Sequence, residues 1–66
     1  MYGAKISAIR LARGYTQEYI ANQLNIEQTS YSKIEHDLKT RISDDLLFKI
    51  AEALGVSIDD IKALLL

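Results

Sequence analysis

An all-α fold is predicted for this 66-residue chain, and three features of its sequence predict it. Apolar residues recur at spacings of three and four along most of the chain, which is the period of an amphipathic helix. No stretch alternates between apolar and polar residues with the period of two that marks a strand. Residues that begin or end helices stand between the periodic segments, and the chain contains no proline. A compact domain of five short helices is therefore expected.

The first two helices are marked by their apolar stripes and by the residues at their ends. The stripes consist of Tyr2, Ile6 and Ile9 in the first helix and Ile20, Ala21 and Leu24 in the second. Gly14 is expected to end the first helix, and Thr16 to cap the start of the second. The second helix must end near Asn25, because asparagine tolerates the left-handed conformation of a tight turn.

The last two helices have clear signals at their ends as well. Ser43 is the expected N-cap of the fourth helix and Gly55 its stop, while Ser57 and Asp60 resemble a capping box at the start of the fifth. Their apolar stripes are Leu46, Leu47, Ile50, Ala51 and Leu54 in the fourth helix, and Ile58, Ile61 and Leu65 in the fifth.

The third helix begins about three residues after Asn25 and has two unlike faces. With Gln28 at zero and about 100° per residue, Ser32, Thr29 and Lys33 lie within about 140° of it. Three apolar residues fall on the opposite side: Tyr31, Ile34 and Leu38. A merely solvated face would be richer in Glu and Lys, whereas amides and hydroxyls suit contacts with base edges in a DNA major groove. An ordinary wet helix face remains the alternative.

The composition is that of a folded soluble domain, with 48% hydrophobic and 26% charged residues. The net charge of -1 argues against a strongly nucleic-acid-binding protein when it is averaged over the chain. Residues 1–41, however, carry six Lys/Arg against four Asp/Glu, and residues 42–66 two against five. An anionic partner on the first part and random variation in a small count explain this asymmetry equally well.

Several classes of function find no support in the residues. The chain has no Cys and one His, so disulfides, thiol chemistry and Cys/His zinc sites are excluded, and no cofactor or metal is expected. The carboxylate pairs Asp44–Asp45 and Asp59–Asp60 are explained by helix first turns, and His36 lacks partners for a nucleophilic site. No enzyme is predicted. The sequence also shows neither a membrane-length apolar run nor the order of a signal peptide, so a cytoplasmic location without membrane contact is expected.

The four tyrosines and the boundaries of the domain complete this interpretation. Tyr2, Tyr15, Tyr19 and Tyr31 are too scattered to predict a platform for single-stranded bases. Tyr31 is expected in the core with its hydroxyl reaching the surface. One domain is predicted over residues 1–66.

The segment 16–35, TQEYIANQLNIEQTSYSKIE, resembles the helix-turn-helix of the phage repressor and Cro-type regulators, the Xre family. The positions that match the family pattern lie both inside and outside this segment. They are Ile6, Ile9, Arg10, Gly14, Thr16, Gln17, Leu24, Ile26, Ile34, Glu35, Ile50, Ala51, Ala53, Leu54, Gly55 and Val56. The resemblance implies a helix-turn-helix over about residues 16–36, with the third helix in the major groove of an operator, usually as a dimer. A transcriptional repressor that binds a two-fold symmetric site in double-stranded DNA is therefore the expected function.

The resemblance also implies residue roles. Gln28, Thr29 and Lys33 match positions that face bases. The expected phosphate contacts are Thr16, Gln17, Ser30, Ser32, Lys39, Thr40 and Arg41. Arg10 and Glu35 match positions of an ion pair between the first and third helices.

The chain departs from the family pattern at three positions near the recognition helix. Asn25 and Asp37 stand where Gly is common, and Glu27 stands where a capping Ser or Thr is common. The stretch 37–43 is also about one residue longer than usual. These differences bear mainly on the predicted loop contacts, Lys39, Thr40 and Arg41.

A homodimer is expected to form through the fifth helix, whose stripe can also close the core against the fourth helix, while Leu64 and Leu66 form an apolar patch beside it. The predicted interface is Ile58, Ile61, Leu64, Leu65 and Leu66. Two alternatives stay open: an antitoxin that uses the same DNA-binding domain and also holds a toxin, and a protein-interaction module that has lost DNA affinity.

Overall fold

The part of the chain that the structure describes forms five α-helices around one core, as the sequence predicts. The computed structural model describes residues 2–36 and 41–62, and these ranges contain no strand. The helices are α1 Gly3–Ala12, α2 Gln17–Leu24, α3 Gln28–His36, α4 Asp44–Leu54 and α5 Ile58–Lys62. Among residues 2–36 and 41–62, none of the helices has the length and hydrophobicity of a membrane span.

Local signals fix both ends of α2. The Oγ1 atom of Thr16 accepts a hydrogen bond from the Tyr19 amide at 3.0 Å, which satisfies one of the amides left without a helical partner. Asn25 takes the left-handed conformation, with φ 60° and ψ 44°. The predicted cap and stop are thereby confirmed. Because α2 ends so abruptly, only residues 25–27 separate it from α3.

The caps of α4 and α5 also follow the prediction. Ser43 Oγ accepts from the Leu46 amide at 3.1 Å, and Gly55 ends α4 with φ 77°. The amide of Ser57 donates to the Asp60 carboxylate at 3.1 Å, while the Asp60 amide donates to Ser57 Oγ at 3.2 Å. This reciprocal pair is the capping box expected from the sequence.

The core is formed by residues from all five helices. Its largest fully buried side chains are Tyr31, Ile6, Ile20, Leu47, Ile50, Leu54 and Ile61. Burial of each such aliphatic side chain contributes about 2 kcal/mol to folding. The core thus fixes α3 against α1 and α2, and one face of α3 stays exposed to solvent.

The buried position of Ile61 corrects one part of the predicted dimer surface. Ile61 is 0% exposed and packs within the core, so it is not available to a second copy of the chain. Ile58 is partly buried against the same core. The reason is that α5 has no other apolar face to place on α4. The remaining members of the predicted interface, Leu64, Leu65 and Leu66, lie outside the described residues.

Candidate nucleic-acid interface

Helices α2 and α3 and the turn between them form the candidate interface. The Ile26 amide donates to the Ala21 carbonyl at 3.0 Å, closing the turn onto the last turns of α2. Leu24 and Ile26 are partly buried against the core, which anchors both sides of the turn. The turn therefore holds α3 in one orientation relative to α2.

The outer face of α3 is polar and exposed, as its sequence periodicity predicts. Gln28, Thr29 and Lys33, the predicted base-contacting residues, are all exposed on it. Of the predicted phosphate contacts on the same helix, Ser30 is exposed and Ser32 is half-buried. The buried residues of α3 are Tyr31, Ile34 and Glu35. The helix thus presents a row of hydrogen-bonding groups to solvent.

His36 also belongs to this face, which the sequence analysis did not recognise. It is the last residue of α3 and is exposed. At about 100° per residue it falls between Ser32 and Thr29 around the helix axis. The signal was present in the sequence, since extending the angular count by one turn beyond Ser32 would have placed His36 on the polar stripe.

The N-terminus of α2 is the second part of the interface. Its first-turn amides carry the positive end of the helix dipole, an arrangement that favours an anion such as a phosphate. Thr16 and Glu18 are exposed there, and the Glu18 carboxylate opposes an anionic ligand. The side chain of Gln17 turns inward, where its Nε2 donates to Glu35 Oε1 at 3.0 Å and lies 3.4 Å from His36 Nε2. Gln17 thus ties the start of α2 to the end of α3.

In the loop after α3, the structure describes the residues from Arg41 onward. Arg41 is exposed, while Lys39 and Thr40 lie outside the described residues. Within residues 2–36 and 41–62, no group of three or more acidic or histidine side chains is placed to hold a metal ion.

Arg10 and Glu35 meet beneath this face and join α1 to α3. Arg10 Nε donates to Glu35 Oε2 at 2.7 Å, and its second terminal nitrogen donates to Glu35 Oε1 at 3.1 Å. The remaining terminal nitrogen donates to the carbonyl oxygen of Tyr15 at 2.8 Å. Arg10 is 8% exposed and Glu35 6%. The pair is bidentate and nearly dry, which makes it stronger and more directional than a surface salt bridge.

The electrostatics of the pair favour its charged form. Burial alone would raise the pKa of the Glu35 carboxyl, but the hydrogen bonds from Arg10 and Gln17, with the Arg10 charge and the nearby Tyr31 hydroxyl, outweigh burial and hold that pKa below its ordinary value. The hydrogen bond to Glu35 raises the pKa of Arg10, against the opposing effect of burial. Both groups therefore stay ionised at neutral pH.

The hydroxyl of Tyr31 is buried, which corrects the prediction that it reaches the surface. Tyr31 is 0% exposed, on a helix that packs against both α1 and α2. Burial, and then the neighbouring Glu35 carboxylate, raise the pKa of the Tyr31 hydroxyl well above its ordinary value. The hydroxyl nevertheless makes no hydrogen bond of good geometry. An unsatisfied buried hydroxyl costs about 1–3 kcal/mol.

Tyr31→Phe is accordingly expected to raise the free energy of unfolding by about 1 kcal/mol, since it removes the unsatisfied oxygen and keeps the ring. Urea denaturation followed by circular dichroism measures this difference. Tyr19→Phe, at an exposed tyrosine, is the matched control and should leave the midpoint unchanged. A loss of stability in Tyr31→Phe would mean that the hydroxyl donates to Glu35 in solution, and would contradict the prediction.

Two of the four tyrosines come together, although the sequence suggested that all are scattered. The rings of Tyr15 and Tyr19 stack with their centroids 4.9 Å apart and an angle of 27° between their planes. Tyr2 packs against the core and Tyr31 lies within it. The stack joins the residue before the N-cap of α2 to the first turn of that helix.

The arrangement of α2, the turn and α3 matches a known family. The profile of the helix-turn-helix family matches residues 6–61, which is most of the chain. The chain belongs to the helix-turn-helix family. The predictions of an all-α fold and of an Xre-type helix-turn-helix regulator are confirmed.

Solved helix-turn-helix structures similar to the chain include two regulators. One is the clp gene regulator ClgR from C. glutamicum, with a TM-score of 0.87 and 26% identity over 92% of this chain and 78% of that chain. The other is SinR, the master regulator for biofilm formation, solved in complex with DNA; its TM-score is 0.82, with 28% identity over 96% of this chain and all of that chain. No curated protein sequence matches significantly. Family and fold are those of DNA-binding transcription regulators.

Proposed function

We propose that this helix-turn-helix regulator represses transcription by binding a specific, two-fold symmetric operator in double-stranded DNA through α3. The observation that carries the proposal is the exposed row of Gln28, Thr29 and Lys33 on a helix whose opposite face is locked in the core. A glutamine amide pairs with the N6 and N7 atoms of adenine, and a lysine ammonium with O6 and N7 of guanine. The threonine contributes a hydroxyl and a methyl that suit base edges and the thymine methyl.

Phosphate contacts are proposed on either side of that row. Thr16 and the first-turn amides of α2 face one strand, and Arg41, with Ser30 and Ser32 of α3, meets the backbone nearby. Because the Gln17 amide already bonds to Glu35 and approaches His36, its contribution to the phosphate site is to hold the N-terminus of α2 in place. Lys39 and Thr40 are proposed as further contacts on sequence grounds alone. A regulator of this kind acts where the genome of a bacterium or phage lies, in the cytoplasm.

Selection from a pool of random duplex DNA tests the proposed function. The wild-type chain is expected to enrich a two-fold symmetric consensus, and its affinity for that consensus should fall linearly with salt on logarithmic axes, because bound counterions are released. A promoter reporter that carries the consensus should be silenced when the chain is expressed. A pool that shows no enrichment, with weak binding to all duplexes, would contradict the proposal and favour a protein-interaction module.

A homodimer is proposed as the form that binds. Two-fold symmetry would place two copies of α3 on successive major-groove faces, about 34 Å apart. The proposed dimer surface consists of Ile58 and the apolar residues 64–66. Ile61 is left out of it because it is buried in the core. Sedimentation at tens of micromolar should show a dimer for the wild type and a monomer for Leu64→Lys combined with Leu66→Lys. A wild-type monomer that also binds a half-site singly would contradict the dimer proposal.

A further inference from the structure

Gly3, in the first turn of α1, lies directly against the last turn of α3. A Cβ atom at this position would lie 2.6 Å from the carbonyl oxygen of Glu35 and 2.7 Å from that of Ile34. Carbon atoms of real side chains essentially never come within 3.0 Å of such neighbours. The obstructing atoms belong to the main chain of a packed helix, so they cannot rotate away. Only a residue without a side chain fits this contact.

No other feature of the backbone requires a glycine at this position. Gly14 and Gly55 both have φ 77°, a conformation that side chains strain, whereas Gly3 is an ordinary helical residue. Glycine within a helix costs about 1 kcal/mol relative to alanine. The close approach of the α3 main chain is therefore the physical reason for Gly3.

Gly3 lies on the same face of α1 as the ion-paired arginine. Gly3, Ile6 and Arg10 are spaced by three and four residues, which aligns them along one side of the helix. Ile6 is fully buried, and Arg10 binds the carboxylate of Glu35. Helix α1 thus holds the last turn of α3 at two points, by its main chain at Gly3 and by the Glu35 side chain at Arg10. The N-terminus of α1, the positive end of its dipole, also adjoins the C-terminus of α3, the negative end of that helix's dipole. This arrangement is attractive.

We propose that Gly3 is a positioning residue for DNA recognition: it sets how deeply the last turn of α3 seats on α1, and so the direction in which α3 presents Gln28, Thr29 and Lys33. This inference rests on the proposed function. Ordinary contact begins at 3.4 Å, so a side chain at position 3 would push the turn outward by roughly 0.8 Å. Recognition groups must be held to within about 0.5 Å of their productive geometry. The displacement exceeds that tolerance.

The test compares Gly3→Ala with Ala4→Gly, a matched exchange at the neighbouring exposed position of α1. Helix propensity alone predicts a higher melting temperature for Gly3→Ala and a lower one for Ala4→Gly. The proposed contact predicts that Gly3→Ala melts several degrees below the wild type despite its better propensity. The decisive measurement is the ratio of affinities for the selected operator and for a random duplex of equal length. Partial unfolding weakens both affinities equally and cancels from this ratio.

Gly3→Ala is expected to reduce the affinity ratio roughly tenfold, whereas Ala4→Gly should leave it at the wild-type value even if it melts earlier. If Gly3→Ala keeps the affinity ratio of the wild type, and the wild type itself clearly prefers its operator, the positioning role is overturned and the proposed function stays intact. A wild-type chain without any preference would instead overturn the proposed function, and this inference with it.

Discussion

Arg10→Met is expected to lower the free energy of unfolding by about 3 kcal/mol or more, and the melting temperature by more than about 10 °C. The substitution removes all three hydrogen bonds of the guanidinium, two to Glu35 and one to the Tyr15 carbonyl. Glu35 is then left as a buried carboxylate with Gln17 as its remaining partner. The penalty therefore comes mainly from the uncompensated charge, and it should far exceed the cost of losing a surface salt bridge.

Two further variants separate the ion pair from general effects of losing an arginine. Arg13→Met, at an exposed arginine three residues away, should change the melting temperature by no more than about 2 °C. Arg10→Met combined with Glu35→Leu should recover much of the lost stability, because replacing both partners by apolar groups removes the stranded charge. Thermal unfolding followed by circular dichroism compares all four chains. A melting curve for Arg10→Met that overlays the wild-type curve would remove the pair from the account of the fold.

Gln28→Ala and Thr29→Ala should each weaken binding to the selected operator by about 1–3 kcal/mol, and relax the choice of base at the position each contacts. Both side chains are exposed, so the fold should be unaffected. Arg41→Ala should act differently. Loss of a phosphate contact weakens binding to all duplexes alike and reduces the salt slope by about one.

Fluorescence anisotropy with operator and random duplexes at several salt concentrations distinguishes the two patterns. Gln23→Ala is the matched control, because Gln23 is an exposed glutamine of α2 that lies beside α4, away from the outer face of α3. Its affinity should equal that of the wild type. Unchanged affinity and consensus in both Gln28→Ala and Thr29→Ala would mean that α3 does not read the bases.

The elements of the fold could be predicted because their signals are local. Thr16 and Asn25 bound α2 by interactions within four residues, and Ser43 and Gly55 do the same for α4. The apolar spacing within each helix identified the face that is buried. Spacing also placed Ile61 on the stripe that can close the core, and Ile61 is buried there. Its inclusion in the dimer surface was wrong, since spacing does not show whether a neighbouring helix or a second chain covers an apolar residue.

The site was predicted in part, and what was missed depends on contacts between distant residues. The polar row of α3 follows from periodicity, whereas the position of Arg10 against Glu35 came from the family resemblance. Neither source indicated that the Tyr31 hydroxyl is unsatisfied or that Gly3 touches the α3 main chain, 31 residues further on at Ile34. Such contacts are set by how closely two helices approach, and no spacing within one helix records that distance.

The attachment of Glu35 on several sides bears on the dynamics of recognition. Its side chain is held by Arg10 and Gln17, and its carbonyl abuts Gly3, so the last turn of α3 cannot fray without breaking buried contacts. Hydrogen exchange of the amides in that turn should then require global unfolding rather than local opening. A recognition helix that is already rigid loses little conformational entropy when it meets DNA. The free energy with which α3 binds DNA can therefore depend mainly on how well its side chains match the bases.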